Sequence, residues 1–125
     1  MAAMVLVATL GCGAPPTSPP DPTQGSRPSR SGSAVPRLVD LGAGKCIPCK
    51  AMAPILAQLR TDFAGRMEVV FVDVWLHPDA GQPYGIRMIP TQIFFGPDGR
   101  ELSRHEGFMS REDVLARWKS HGFVF

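Results

Sequence analysis

The chain has 125 residues, with 13 Lys and Arg against 11 Asp and Glu, for a formal net charge of +2. So even a balance gives no electrostatic case for nucleic acid or an anionic membrane surface as partner, and no basic cluster interleaved with aromatics is present. The length allows a single domain, and a small one, because the N-terminal third is too poor in large apolar side chains to build a core.

Residues 1–11, MAAMVLVATLG, form one apolar run. It is too short to cross a hydrocarbon layer of roughly 30 Å as a helix, and it reads as the hydrophobic core of an export signal. The TLGC that ends at Cys12 resembles the lipobox of bacterial lipoproteins, which implies a signal segment over residues 1–12 and lipid attached to Cys12. Seven prolines then occur from Gly13 through Pro36, Pro36 included. A stretch of this composition cannot offset its ordering entropy, so residues 13–34 are expected to be a disordered, semi-stiff tether. The domain is expected over residues 35–125.

Within the domain, VPRLVDLGA (35–43) suits a buried strand that begins near Pro36. After the cysteines the period changes. Met52, Ile55, Leu56, Leu59 and Phe63 recur at helical spacing, with Pro48 suited to the first turn and Pro54 lying inside as a kink. MEVVFVDVW (67–75) is dense in β-branched residues and reads as a second strand, buried on both faces at its centre. Strand, helix, strand implies a parallel crossover. A loop or short helix follows, then PTQIFF (90–95), a GPDG turn and RELSRHEG, which together signal a hairpin. Ser110, with Asp113 three residues later, caps a last helix whose Val114, Leu115 and Trp118 face inward and which ends at Gly122.

The chemistry concentrates in KCIPCK, residues 45–50. Two cysteines three positions apart serve as half a metal site, as a structural disulfide, or as an exchanging dithiol. A closed zinc site needs four ligands. The domain offers two thiols, and His77, His105 and His121 stand at no ligand spacing and read as surface residues, so no metal is assigned. Met52, Met67, Trp75 and Trp118 read as core or core-capping residues. A disulfide closing so small a loop restrains the unfolded chain little and makes a poor staple.

Several separated positions together resemble the thioredoxin family. CIPCKAMAPIL is similar to that family's active-site helix, including the internal Pro54. Asp40, six residues before Cys46, matches its buried aspartate. YGIRMIPT (84–91) resembles the stretch that carries its cis-proline, here Pro90, and GPDG followed by Gly107 resembles its hairpin and the glycine beyond. The resemblance covers about residues 35–121. It implies an α/β fold of three layers, α/β/α, shortened at the N-terminus because the family's first strand and helix have no counterpart, with about four strands in a mixed sheet and 67–75 at an edge. Other departures are Lys45 and Gly42 where the family has tryptophans, Phe71 where it commonly has a lysine beside the aspartate, and Met88 in place of a small residue.

The function implied is thiol-disulfide oxidoreduction through a Cys46–Cys49 redox disulfide, with no other cofactor. Cys46, at the start of a helix and next to Lys45, is placed to ionise and attack. Cys49, one turn in, resolves the mixed disulfide, Asp40 takes or returns its proton, and Pro90 brings the backbone of Ile89 beside the substrate. Lys45, Ile47, Met88 and Ile89 are the expected substrate contacts. A proline without a histidine between the cysteines resembles the reducing members of the family. The expected setting is the periplasmic side of a bacterial envelope, as a monomer tethered through Cys12, with protein disulfides as substrates and an envelope electron donor. The rival is a non-catalytic interaction module, or a Cu(I) site made by Cys46, Cys49 and a soft thioether such as Met88.

Overall fold

The computed structural model describes residues 35–125. The expected signal segment over residues 1–12, with Cys12, and the expected tether over residues 13–34 lie outside the described residues. Four strands form one mixed sheet in the order β2-β1-β3-β4: β1 is Arg37–Gly42, β2 Glu68–Asp73, β3 Thr91–Phe95 and β4 Glu101–Glu106. β2 runs parallel to β1, whereas β3 is antiparallel to both β1 and β4. Three helices accompany the sheet: α1 (Ile47–Asp62), α2 (Pro78–Gly81), followed by a 3-10 turn at Gln82–Tyr84, and α3 (Arg111–Ser120).

Because side chains alternate across a strand, β1 sends Leu38 and Asp40 to one face and Val39 and Leu41 to the other. Flanked on both edges, it buries all four. On the first face, Leu38 and Phe94 join Met52, Leu56 and Leu59 of α1 and Trp118 of α3 in the main core. Trp118 meets Phe94 edge-on with ring centroids 5.0 Å apart. On the second face, Val39, Leu41 and Ile93 pack with Val72, Tyr84 and Ile86, under the short α2 and its following turn. Three layers result, the second helical layer being thin.

The helical stripe of α1 is as its period dictates, with Met52, Leu56 and Leu59 buried, and the helix continues through Pro54 on its exposed side. α3 starts on a full capping box: Ser110 Oγ accepts from the Asp113 N–H while the Asp113 carboxylate accepts from the Ser110 N–H. Gly107 and Gly122 take φ of 104° and 86°, which L side chains rarely adopt.

Three expectations are corrected. β2 is not buried on both faces: it is an edge strand among the described residues, and Phe71 at its centre is 42 % exposed. Trp75 does not cap the core; it sits in the turn after β2 and is 58 % exposed. His105 and His121 are half-buried rather than surface residues, and His121 Nε2 lies 2.7 Å from Ser103 Oγ. Within the expected domain, the chain stays packed beyond Gly122. Phe123 and Phe125 fold back on Trp118 with centroids 5.4 and 5.8 Å away, and Phe125 reaches Phe63 at 5.3 Å.

Candidate active site

The site forms where β1 ends and α1 begins. Cys46 is the N-cap of α1, with extended backbone, and its Sγ accepts from the Cys49 N–H at 3.3 Å. Pro48, in the first turn, has no N–H to leave unsatisfied there. Unpaired amides and the helix dipole favour negative charge at this end, so a reduced Cys46 sulfur stands where a thiolate is stabilised. Cys49, one turn along and 3 % exposed, is joined to Cys46 by a disulfide with Cα atoms 5.2 Å apart. Cys46 is half-buried and Cys49 is covered.

Pro90 is the residue before β3, and the Ile89–Pro90 peptide is cis. Since Thr91 pairs with Leu41, Pro90 lies at the same end of the sheet as the cysteines. Its loop is held by two bonds: the Gly107 N–H donates to Pro90 O at 2.8 Å, and Thr91 Oγ1 donates to Met88 O at 2.7 Å. Among the described residues, the Ile89 backbone enters no backbone hydrogen bond. Lys45, Ile47 and Met88 are exposed and Ile89 is half-buried.

Asp40 is fully buried on the α1 face of the sheet. Gln92 Nε2 donates to its Oδ1 at 2.7 Å, while Oδ2 has no partner. Burial pushes the carboxyl up from 3.8 to about 6, against the smaller opposing effect of the Gln92 bond.

Two residues of the site escaped sequence reasoning. Gln92 lies in a run that reads only as strand. Asp73 ends β2 and ties down the loop before Cys46: its Oδ2 accepts from the Gly44 N–H at 3.0 Å and its Oδ1 from the Trp75 and Leu76 N–H groups at 3.0 Å. These bonds, led by Leu76, hold its carboxyl below the ordinary value. An aspartate two residues from an apolar strand's centre, just before a turn, was the available signal.

The family model described as thioredoxin matches residues 30–120. The chain belongs to the thioredoxin family. Over 81 residues it is 41 % identical to thioredoxin C-2 of Corynebacterium nephridii, covering 65 % of this chain and 74 % of that one. Over 85 residues it is 36 % identical to a Staphylococcus aureus thioredoxin, covering 68 % and 81 %. Among solved structures, chloroplastic thioredoxin z superposes with a TM-score of 0.62 at 29 % identity, over 70 % of this chain and 78 % of that one. A malarial protein superposes at 0.65 with 21 % identity over 70 % and 97 %, a likeness of fold alone. As a thioredoxin-family protein with a disulfide at CxxC spacing, the chain is a thiol-disulfide oxidoreductase.

Proposed function

We propose that this oxidoreductase reduces protein disulfides on the periplasmic side of a bacterial envelope, tethered by lipid on Cys12, with Cys46 attacking and Cys49 resolving. The observation that carries the reading is the asymmetry of the pair, Cys46 half-buried at a helix N-cap and Cys49 buried one turn in. In the first step the Cys46 thiolate attacks a substrate disulfide, forming one S–S bond and releasing one substrate thiolate. Cys49 then gives its proton toward Asp40 and attacks the Cys46 sulfur. The Cys46–Cys49 disulfide forms, and the second substrate thiolate leaves. An electron donor returns the pair to dithiol.

The backbone of Ile89, next to the anchored Pro90 and free of backbone partners among the described residues, offers a substrate strand an N–H and a C=O at the end of the sheet that carries Cys46. Ile47, 82 % exposed, and Met88, 49 % exposed, supply apolar contact for the flanks of a substrate cysteine, and Lys45 adds positive charge. The envelope setting is supported by the apolar leader and TLGC motif. The reducing direction is supported by Pro48, with no histidine beside it, between the cysteines.

Dithiothreitol-driven reduction of a protein disulfide tests the chemistry: the parent should turn over and Cys46→Ser should not. Equal rates for the two proteins would contradict it. The tether is tested by fractionation, in which the full-length protein should follow membranes and Cys12→Ala should not. Recovery of unmodified parent in the soluble envelope fraction would contradict lipid attachment.

A further inference from the structure

On its α1 face the sheet aligns one side chain per strand: Phe71, Asp40, Gln92 and His105, paired as Phe71 with Asp40, Asp40 with Gln92, and Gln92 with His105. Asp40 therefore has an aromatic residue on one flank and an amide on the other. The amide side is engaged through the 2.7 Å bond to Oδ1, and Oδ2 is the orphan. Phe71 on β2 and His105 on β4 are the outer members, each on an edge strand.

Phe71 is 42 % exposed, yet one edge of its ring faces Gly42. A Cβ built on Gly42 would lie 3.0 Å from Phe71 Cε2 and 3.2 Å from both Cβ and Sγ of Cys49. The ring, the Gly42 backbone and the inner sulfur thus converge on one point, and the ring fills volume that any side chain at position 42 would need. Phe71 and Cys49 also line one open pocket of about 340 Å3, with Ala53 and Leu56 as apolar walls and Lys50 and Arg60 completing it.

We infer that Phe71 is a positioning residue for the resolving step, its ring standing at the open edge of the sheet so that neither water nor a counter-charge reaches the buried Asp40 carboxyl from that side. The inference rests on the exchange reading above. The groups around Asp40 are consistent with it. From β2, beyond Phe71, the Asp73 carboxylate is turned to the amides of Gly44, Trp75 and Leu76. From α1, Arg60 is held on Val69 O at 3.2 Å, and Lys50 is exposed at the pocket. On β4, behind Gln92, His105 Nε2 lies 3.3 Å from Phe108 O, and Asp113 of α3 is bound to Ser110. Burial is left as the dominant influence on the carboxyl, opposed by the hydrogen bond from Gln92.

The test uses the reduced full-length protein and a symmetrical aromatic disulfide that releases one chromophoric thiolate on attack by Cys46 and a second on resolution by Cys49. The rate of the second release is followed against pH in the parent, Phe71→Leu and Phe71→Lys. An ammonium beside a carboxyl lowers its pKa by about 1–3, so Phe71→Lys should move the acid limb down by about one pH unit or more while Phe71→Leu leaves it in place. Coincident acid limbs in Phe71→Lys and the parent, or a uniform loss of rate at every pH, would overturn the inference. A parent with no Cys49-dependent second release would instead overturn the exchange reading. If Phe71→Lys does not fold, Phe71→Ala admits water without adding charge. Its protonated Asp40 carboxyl band in the infrared, identified against Asp40→Asn, should then titrate below the parent's, and an unchanged midpoint would overturn the inference.

Discussion

Asp40 holds a carboxyl out of water with one hydrogen bond from Gln92 and, among the described residues, no ion pair. Its proton is bound more tightly in the folded chain, at about 6, than at the ordinary 3.8. In the intervening pH window the unfolded chain has already ionised while the folded one has not, so stability falls as pH rises through it. Below about pH 4 both states are protonated and the penalty is absent; above about pH 6 it is complete, at up to about 3 kcal/mol. Asp40→Asn, which keeps an acceptor for Gln92, should therefore stabilise the oxidised protein near neutrality and lose that advantage below pH 4. Urea denaturation at a series of pH values measures this, and an advantage independent of pH would contradict it. At the other sulfur, reduced Cys46 should alkylate with a pKa below the unperturbed value of about 8.5, because it caps α1 beside Lys45. Cys49, being buried, should alkylate slowly.

The elements that carry these residues are fixed by identifiable local bonds. Ser110 satisfies an otherwise orphaned amide at the start of α3, and the reciprocal bond from Asp113 completes the cap. Ser110→Ala should cost about 1 kcal/mol, seen as a lower urea midpoint at unchanged slope. Trp118, eight residues on, holds the core from this helix, so the cap supports the main hydrophobic cluster at a distance. The loop between β1 and α1 depends instead on Asp73. With Asp73→Ala, hydrogen exchange at the Gly44, Trp75 and Leu76 amides should accelerate together, since one carboxylate serves all three. Protection unchanged at Gly44 would separate that loop from β2. Because its carboxyl is held below the ordinary value, the same support is present at neutral pH and is lost as pH falls through the folded value.

At the scale of the molecule, what the sequence exposed was what depends on short-range pattern. The α1 stripe, the Ser110 cap, the hairpin and the cysteine-bearing helix start follow from spacing alone, and the position of Pro90 followed from the family resemblance. What it hid depends on which strands become neighbours. The resemblance placed 67–75 at a sheet edge, as observed, but the apolar run gave no sign that Phe71 and Trp75 would be exposed there. Gln92 is one polar residue within an apolar strand, and only the pairing of β1 with β3 sets it beside Asp40. Phe123 and Phe125 lie beyond the last periodic element, so no pattern announces that they close over Trp118. The central claim is that Cys46 attacks and Cys49 resolves, and trapping tests it most directly. Cys49→Ser leaves Cys46 able to attack while nothing within the domain displaces the substrate. Mixed disulfides should accumulate on Cys49→Ser in an oxidising envelope, dissolve on adding dithiothreitol, and be nearly absent from Cys46→Ser. Absence of any such adduct on Cys49→Ser, with Cys46 shown to be free and reactive, would contradict the account.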